Sequence, residues 1–159
     1  MEMRKGIRNM SKKLISKPAL CVNCRICEMA CAHQKSGVFS PVKARIWIDK
    51  NEKGLNEPVI CRHCLRPPCA RACPSEKGIP IQRDRKTGIV RFSNENCVGH
   101  HACIGACPFG AMRIDPHTGQ VFKCDLCDGD PECVKWCPTG ALQYVDVKAI
   151  GTVILREAS

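Results

Sequence analysis

Aromatic residues make up only 4% of this 159-residue sequence, and no apolar stretch approaches the length of a membrane span. The longest candidate, residues 149–155, is short and contains Gly151. Direct membrane insertion is therefore not expected. Residues 1–13 are charged and hold neither an apolar signal core nor a twin-arginine pair, which points to the cytoplasm. There is no Walker or dinucleotide glycine pattern and no metalloprotease helix, so the chain is not expected to be an enzyme by itself. An extensive apolar core is not expected either. Chains this poor in aromatics are held by metal or disulfides, because burial alone leaves little surplus stability.

Cysteine, in contrast, is abundant. There are 15, an odd number, mostly in C-x2-C pairs and triplets. That spacing in a chain without an export signal favours metal over a disulfide framework. Four runs carry the cysteines. The first, Cys21, Cys24, Cys27 and Cys31, reads C-x2-C-x2-C-x3-C. The second holds Cys61, Cys64, Cys69 and Cys73-Pro74, with a middle gap of four residues stiffened by Pro67 and Pro68. The third runs Cys97-Val-Gly-His-His-Ala-Cys103-Ile-Gly-Ala-Cys107-Pro108 and puts His100 where a sixteenth cysteine is expected. The fourth holds Cys124, Cys127, Cys133 and Cys137-Pro138, its middle gap of five filled by turn formers from Asp128 to Pro131.

These runs resemble the C-x2-C-x2-C-x3-C-P stretch that wraps iron–sulfur clusters in bacterial ferredoxins, where the fourth cysteine ligates the other cluster of a pair. The short spacings let one loop cover three corners of a cubane, and the helix formers Glu28, Met29 and Ala30 carry Cys31 away from it. Between the runs, alternation and turn residues predict a hairpin of 45–49 with 58–60 about a turn at 50–54. They also predict a strand at 89–92 after a turn at 84–88, a hairpin of 109–114 with 120–123, a strand within 139–147 and an edge strand at 152–155. Each run is a loop–helix–strand repeat too small to fold without its metal. The fold class that follows is α+β, with two interleaved ferredoxin-like modules made of short hairpins and small helices around the clusters. Three segments are expected: a basic N-terminal arm over 1–19 with at most one helical turn, a double ferredoxin-like domain over 20–147, and a C-terminal tail over 148–159.

Over residues 21 to about 147 the four runs, in this order, resemble the four-cluster electron-transfer subunits of molybdenum and tungsten oxidoreductases, such as dimethyl sulfoxide reductase, formate dehydrogenase and nitrate reductase. The first run, with Ala32-His-Gln-Lys-Ser-Gly-Val-Phe-Ser-Pro41 behind it, is similar to small partners of tungsten aldehyde oxidoreductase-type enzymes, including that of benzoyl-coenzyme A reductase. The resemblance implies that run 21–31 pairs with run 124–137, and run 61–73 with run 97–107. It then implies three [4Fe–4S] clusters: one on Cys21, Cys24, Cys27 and Cys137, one on Cys124, Cys127, Cys133 and Cys31, and one on Cys61, Cys64, Cys69 and Cys107. The remaining set is Cys97, His100, Cys103 and Cys73, and nitrate reductase-like members also carry a non-cysteine residue at the position of His100. That set suits a structural Zn²⁺, a [4Fe–4S] cluster with a histidine corner, or a three-iron cluster that His100 does not ligate; His101 would break the register. The implied partners are a larger catalytic subunit with a molybdenum or tungsten pterin and a ferredoxin-like donor or acceptor, between which this chain relays single electrons.

The formal net charge of +10 counts every cysteine as neutral. A [4Fe–4S]²⁺ core with four thiolates carries about −2, so three would bring the chain to about +4. The excess gathers at Arg4, Lys5, Arg8, Lys12, Lys13 and Lys17, a solvated arm able to dock on an acidic partner. A zinc-rich nucleic-acid-binding module would also explain cysteine together with positive charge. Five histidines, few stacking aromatics and the Cys-Pro endings speak against it, so no nucleic acid is expected. A free-standing polyferredoxin is the alternative within redox chemistry. His63 is read as a residue at the surface or behind the ligands, and Trp47 as hairpin packing. Gly99, Gly105, Gly110 and Gly140 serve either close backbone approach to the metal or ordinary turns.

Overall fold

Each of the four cysteine runs nucleates a helix at the same point. In the computed structural model, which describes residues 12–147, these helices are α1 (Ile26–Ser36), α2 (Pro68–Arg71), α3 (Ala102–Gly105) and α4 (Glu132–Lys135). In every case the cysteine at the run's third ligand position (Cys27, Cys69, Cys103 or Cys133) is the second helical residue. Proline decides how far each helix continues. Cys73, Cys107 and Cys137 are followed by proline, which disfavours helical backbone in the residue before it, and α2, α3 and α4 stop two residues short of those cysteines. Cys31 is followed by Ala32, so α1 runs on to Ser36. It ends at Gly37 (φ 71°), whose amide donates to the His33 carbonyl.

The strands are short and pair two at a time, all antiparallel. β1 (Lys12–Ser16) pairs with β8 (Leu142–Asp146), joining the two ends of the described chain with Leu14 opposite Tyr144. The other pairs are hairpins: β2 (Trp47–Lys50) with β3 (Asn56–Val59), β4 (Ile81–Arg83) with β5 (Val90–Phe92), and β6 (Met112–Ile114) with β7 (Val121–Lys123). The turns of the last two hairpins are one device used twice, with the sequence Asp-x-x-Thr-Gly. In each the Asp carboxylate accepts an amide bond two residues on, Lys86 to Asp84 at 2.7 Å and His117 to Asp115 at 2.9 Å. The glycine amide then donates to the Asp carbonyl at 2.9 and 2.8 Å.

Two differences from the sequence reading stand out. Lys12–Ser16, expected within a basic arm, is a strand, because Leu14 is buried on β8 while Lys12 and Lys13 stay exposed. The strand β4 was not expected at all; Ile81 between Pro80 and Gln82 gives too short an alternation to register. The expected edge strand at 152–155 lies outside the described residues. Among the described residues, no helix is long and apolar enough to cross a membrane.

Two apolar clusters hold these pieces. One draws on both ends of the chain: Leu14, Cys27, Cys31, Ala32, Ile46, Ile60, Leu126, Cys133 and Leu142 among others. The second comes from the middle: Cys69, Ile81, Val90, Cys103, Met112 and Val121. α1 packs on α4 and α2 on α3 accordingly. Cysteines sit in both clusters, so the cores are built around the positions that carry the chemistry. The result is a small α+β fold.

Candidate metal centres

The backbone of the cysteine loops departs from ordinary stereochemistry. Among the described residues, the non-glycine residues with positive φ are Asn23, Arg25, His63, His101, Leu126, Cys127 and Asp128. All lie inside the four runs. Left-handed backbone is strained for residues with a side chain, and alternation of such residues with ordinary ones points successive N–H groups inward to form an anion-binding concavity. The loops thus present amide donors that could bond the sulfurs of a thiolate-held centre. Amide bonds already reach cysteine sulfurs, among them Cys31 from Arg45 at 3.2 Å, Cys107 from Ala111 at 3.3 Å and Cys124 from Leu126 at 3.3 Å.

Cysteines from distant runs come together around cavities. Cys21, Cys24, Cys27 and Cys137 line one pocket, walled by Ile48, Pro58 and Leu142. Cys31, Cys124, Cys127 and Cys133 line another, with Leu14, Ile46, Ile60 and Leu126. Elsewhere, Cys69 lies within electrostatic reach of Cys61 and Cys107, and Cys103 within reach of Cys97 and Cys73. Cys64 is half-buried on the same loop as Cys61, and His100 is exposed on the same loop as Cys97. Among the described residues no three His, Cys, Asp or Glu side chains form a group able to hold a single metal ion. The first two sets stand around voids instead.

Burial controls the thiols. It pushes Cys27 and Cys124 up to about 12 and Cys69 to about 11, and raises Cys31, Cys103 and Cys133 as well. A cationic centre would reverse this by holding them as thiolates, so loading metal releases protons. Cys137 differs. Burial raises it too, but donors from Leu142, Thr139 and Ala141 outweigh that and leave it below its ordinary value.

His100 repeats the setting of Cys24. Cys24 stands between two left-handed residues, Asn23 (φ 57°) and Arg25 (φ 58°); His100 stands between Gly99 (φ 75°) and His101 (φ 56°). Both are exposed. The His101 ring nitrogen Nε2 is 3.2 Å from the Gly119 carbonyl, which occupies that imidazole on the β6–β7 turn. The third run therefore has the wrapping backbone of the first, with one donor changed.

His63 lies deep behind the loops and is 8% exposed. Its Nδ1 accepts the Val90 amide at 2.9 Å, which leaves the proton on Nε2, an atom buried without a protein partner. Burial first and the Lys123 charge second depress its pKa to about 3, so the ring is neutral. Trp47 packs in its hairpin under the Arg113 guanidinium, 4.6 Å from the ring centre. Sequence reading gives no sign that two charged residues are buried. Glu28 (1% exposed) accepts the Ile48 amide at 2.8 Å and ties α1 to β2, while Lys123 (2% exposed) sits at the threshold of the fourth run. Nothing in their spacing distinguishes them from surface residues.

Apolar voids walled by four cysteines each, with strained loops aiming amides inward, suit a multi-iron body held by thiolates, and the class is that of ferredoxin-type iron–sulfur proteins. The 4Fe-4S dicluster domain family matches residues 53–147, and this chain belongs to it. It is 37% identical over 124 residues to the aliphatic sulfonate oxidoreductase, polyferredoxin-like subunit, of Pyrococcus furiosus, covering 78% of this chain and 70% of that one. With the formate dehydrogenase-O iron-sulfur subunit of Escherichia coli it shares 33% identity over 160 residues, 84% of this chain and 52% of the relative. The chain thus spans about half the length of that subunit. A chain of the active site complex BamBC of benzoyl coenzyme A reductase shares the fold, with a TM-score of 0.50 at 22% identity over 91% of this chain and 88% of the other.

Proposed function

We propose that this chain is the iron–sulfur electron-transfer subunit of a larger oxidoreductase, relaying single electrons between a catalytic subunit with a molybdenum or tungsten pterin and a ferredoxin-like partner. The observation that carries the reading is the pair of cysteine-walled voids, each assembled from a run near the start and a run near the end of the described chain. The subunit descriptions of the Pyrococcus and Escherichia relatives support it. When bound, [4Fe–4S] clusters would supply one-electron chemistry without bond making or breaking in the protein.

Three clusters would be held by Cys21, Cys24, Cys27 and Cys137, by Cys31, Cys124, Cys127 and Cys133, and by Cys61, Cys64, Cys69 and Cys107. The fourth set, Cys73, Cys97, His100 and Cys103, would take zinc or a variant cluster. The chain's own part is to supply thiolates, amide donors to sulfur and a water-poor surround. Packing of α1 on α4 and of α2 on α3 supports two interleaved modules, 21–31 with 124–137 and 61–73 with 97–107. The cytoplasm is the compartment that suits reduced cysteines in such number.

Anaerobic purification tests this. A brown protein with about twelve irons and one zinc per chain fits three clusters plus a zinc site, and about sixteen irons puts iron at the fourth site as well. A colourless, zinc-only protein overturns the reading. Co-purification of a larger pterin-containing subunit is the expected result; a monomer competent alone would make the chain a polyferredoxin.

A further inference from the structure

Lys123 is 2% exposed, the sole buried lysine or arginine among the described residues. Its Nζ donates to two carbonyls, Cys124 at 2.6 Å and Val90. Among the described residues no ion pair involves it. An ammonium taken out of water and given only neutral carbonyls is unfavourable unless a negative charge lies nearby.

The surroundings show where that charge would be. Val90 is bonded through both of its backbone groups, its carbonyl to Lys123 and its amide to His63. His63 sits between Cys61 and Cys64, and Lys123 directly precedes Cys124. The clamp His63–Val90–Lys123 therefore spans two cysteine sets, the Cys61 set and the Cys124 set. The Lys123 charge acts on thiols of both, Cys69 and Cys124, and Cys124 is in turn within electrostatic reach of Cys61. A thiolate-ligated cluster is a net anion, and one-electron reduction adds a further negative charge with no bond changed.

Building on the electron-transfer reading above, we propose that Lys123 is a positioning residue, the fixed counter-charge shared by the centre on Cys61, Cys64, Cys69 and Cys107 and the centre on Cys31, Cys124, Cys127 and Cys133. A buried positive charge favours the more negative, reduced form of each. It therefore raises both reduction potentials.

The test is a redox titration followed by EPR on Lys123→Met, Lys123→Arg and wild-type protein, each with iron quantified. Lys123→Met is expected to keep its iron and to lower the reduced-to-oxidised ratio of two centres about tenfold at fixed potential, a shift of 59 mV for a one-electron couple. Lys123→Arg is expected to hold the wild-type ratio. Iron-replete Lys123→Met with unchanged ratios, or the same fall in both variants, overturns the proposal while leaving the electron-transfer reading intact. Wild-type protein without iron overturns that reading instead. If Lys123→Met does not retain iron, wild-type protein labelled with ¹⁵N-lysine decides by electron–nuclear double resonance. A lysine nitrogen coupled to a reduced centre supports the proposal, and its absence overturns it.

Discussion

The Nδ1 of His63 accepts the backbone amide of Val90 at 2.9 Å, tying the second cysteine loop to β5 in the interior. His63 is left-handed (φ 46°). Asparagine tolerates that backbone and can place an oxygen near the position of Nδ1. His63→Asn should therefore stay close to wild type. His63→Phe strands a buried amide and should cost about 1–3 kcal/mol. Thermal loss of the visible cluster absorption, compared across the three proteins, checks the ranking.

The match between the loops at Cys24 and His100 gives a second expectation. With the backbone already in the wrapping conformation, His100→Cys completes a fourth all-cysteine set. The variant should carry about sixteen irons per chain and no zinc, whatever fills the site in the wild type. Metal analysis reads this directly.

Gly99 sits at the position that Asn23, His63 and Leu126 occupy in the other loops, all with positive φ. A Cβ there meets nothing within 4 Å, so backbone conformation is the constraint. Gly99→Asn should be nearly neutral and Gly99→Val should cost about 1–3 kcal/mol, since a β-branched residue is strained in this region. Melting temperatures of the two variants test it.

Asp115 titrates at about 2 in the fold, chiefly because Lys43 donates to its carboxylate and then because the His117 amide does. An unfolded aspartate titrates near about 3.9. The folded group binds its proton less readily, so the stabilisation is complete above about pH 4 and is lost as pH falls towards about 2. Asp115→Asn keeps the turn bond but loses the ion pair. Its melting temperature should lie below wild type at pH 7, and the gap should close in acid.

Removing iron with a chelator under anaerobic conditions should unfold the chain. Two-stranded sheets of this length are marginal in water, and the apolar clusters are small and partly made of the ligands themselves. Far-UV circular dichroism should flatten as the brown colour is lost. A native-like apoprotein spectrum would show that packing alone suffices.

The sequence alone determined what is local. The C-x2-C and C-x3-C spacings set the loop and the helix behind it, the prolines after Cys73, Cys107 and Cys137 set where three helices stop, and Asp-x-x-Thr-Gly set two turns. Each is a matter of bonds between residues two to four apart, so the residue types that carry them are legible in a line of text. Hydrophobic alternation likewise marked both strands of two pairs, β2 with β3 and β6 with β7, and one strand, β5 or β8, of each of the other two. It missed β4 and β1, because strands this short take their identity from the partner, and the partner of β1 lies at the far end of the described chain. Only the tertiary structure decided which cysteines share a cavity, since Cys137 meets Cys21 through the packing of α4 on α1 and not through any spacing. It also decided the burial of His63, Glu28 and Lys123. A charged residue beside a cysteine looks the same in sequence whether it faces water or is buried, and only the surrounding fold sets the electrostatic cost that separates the two.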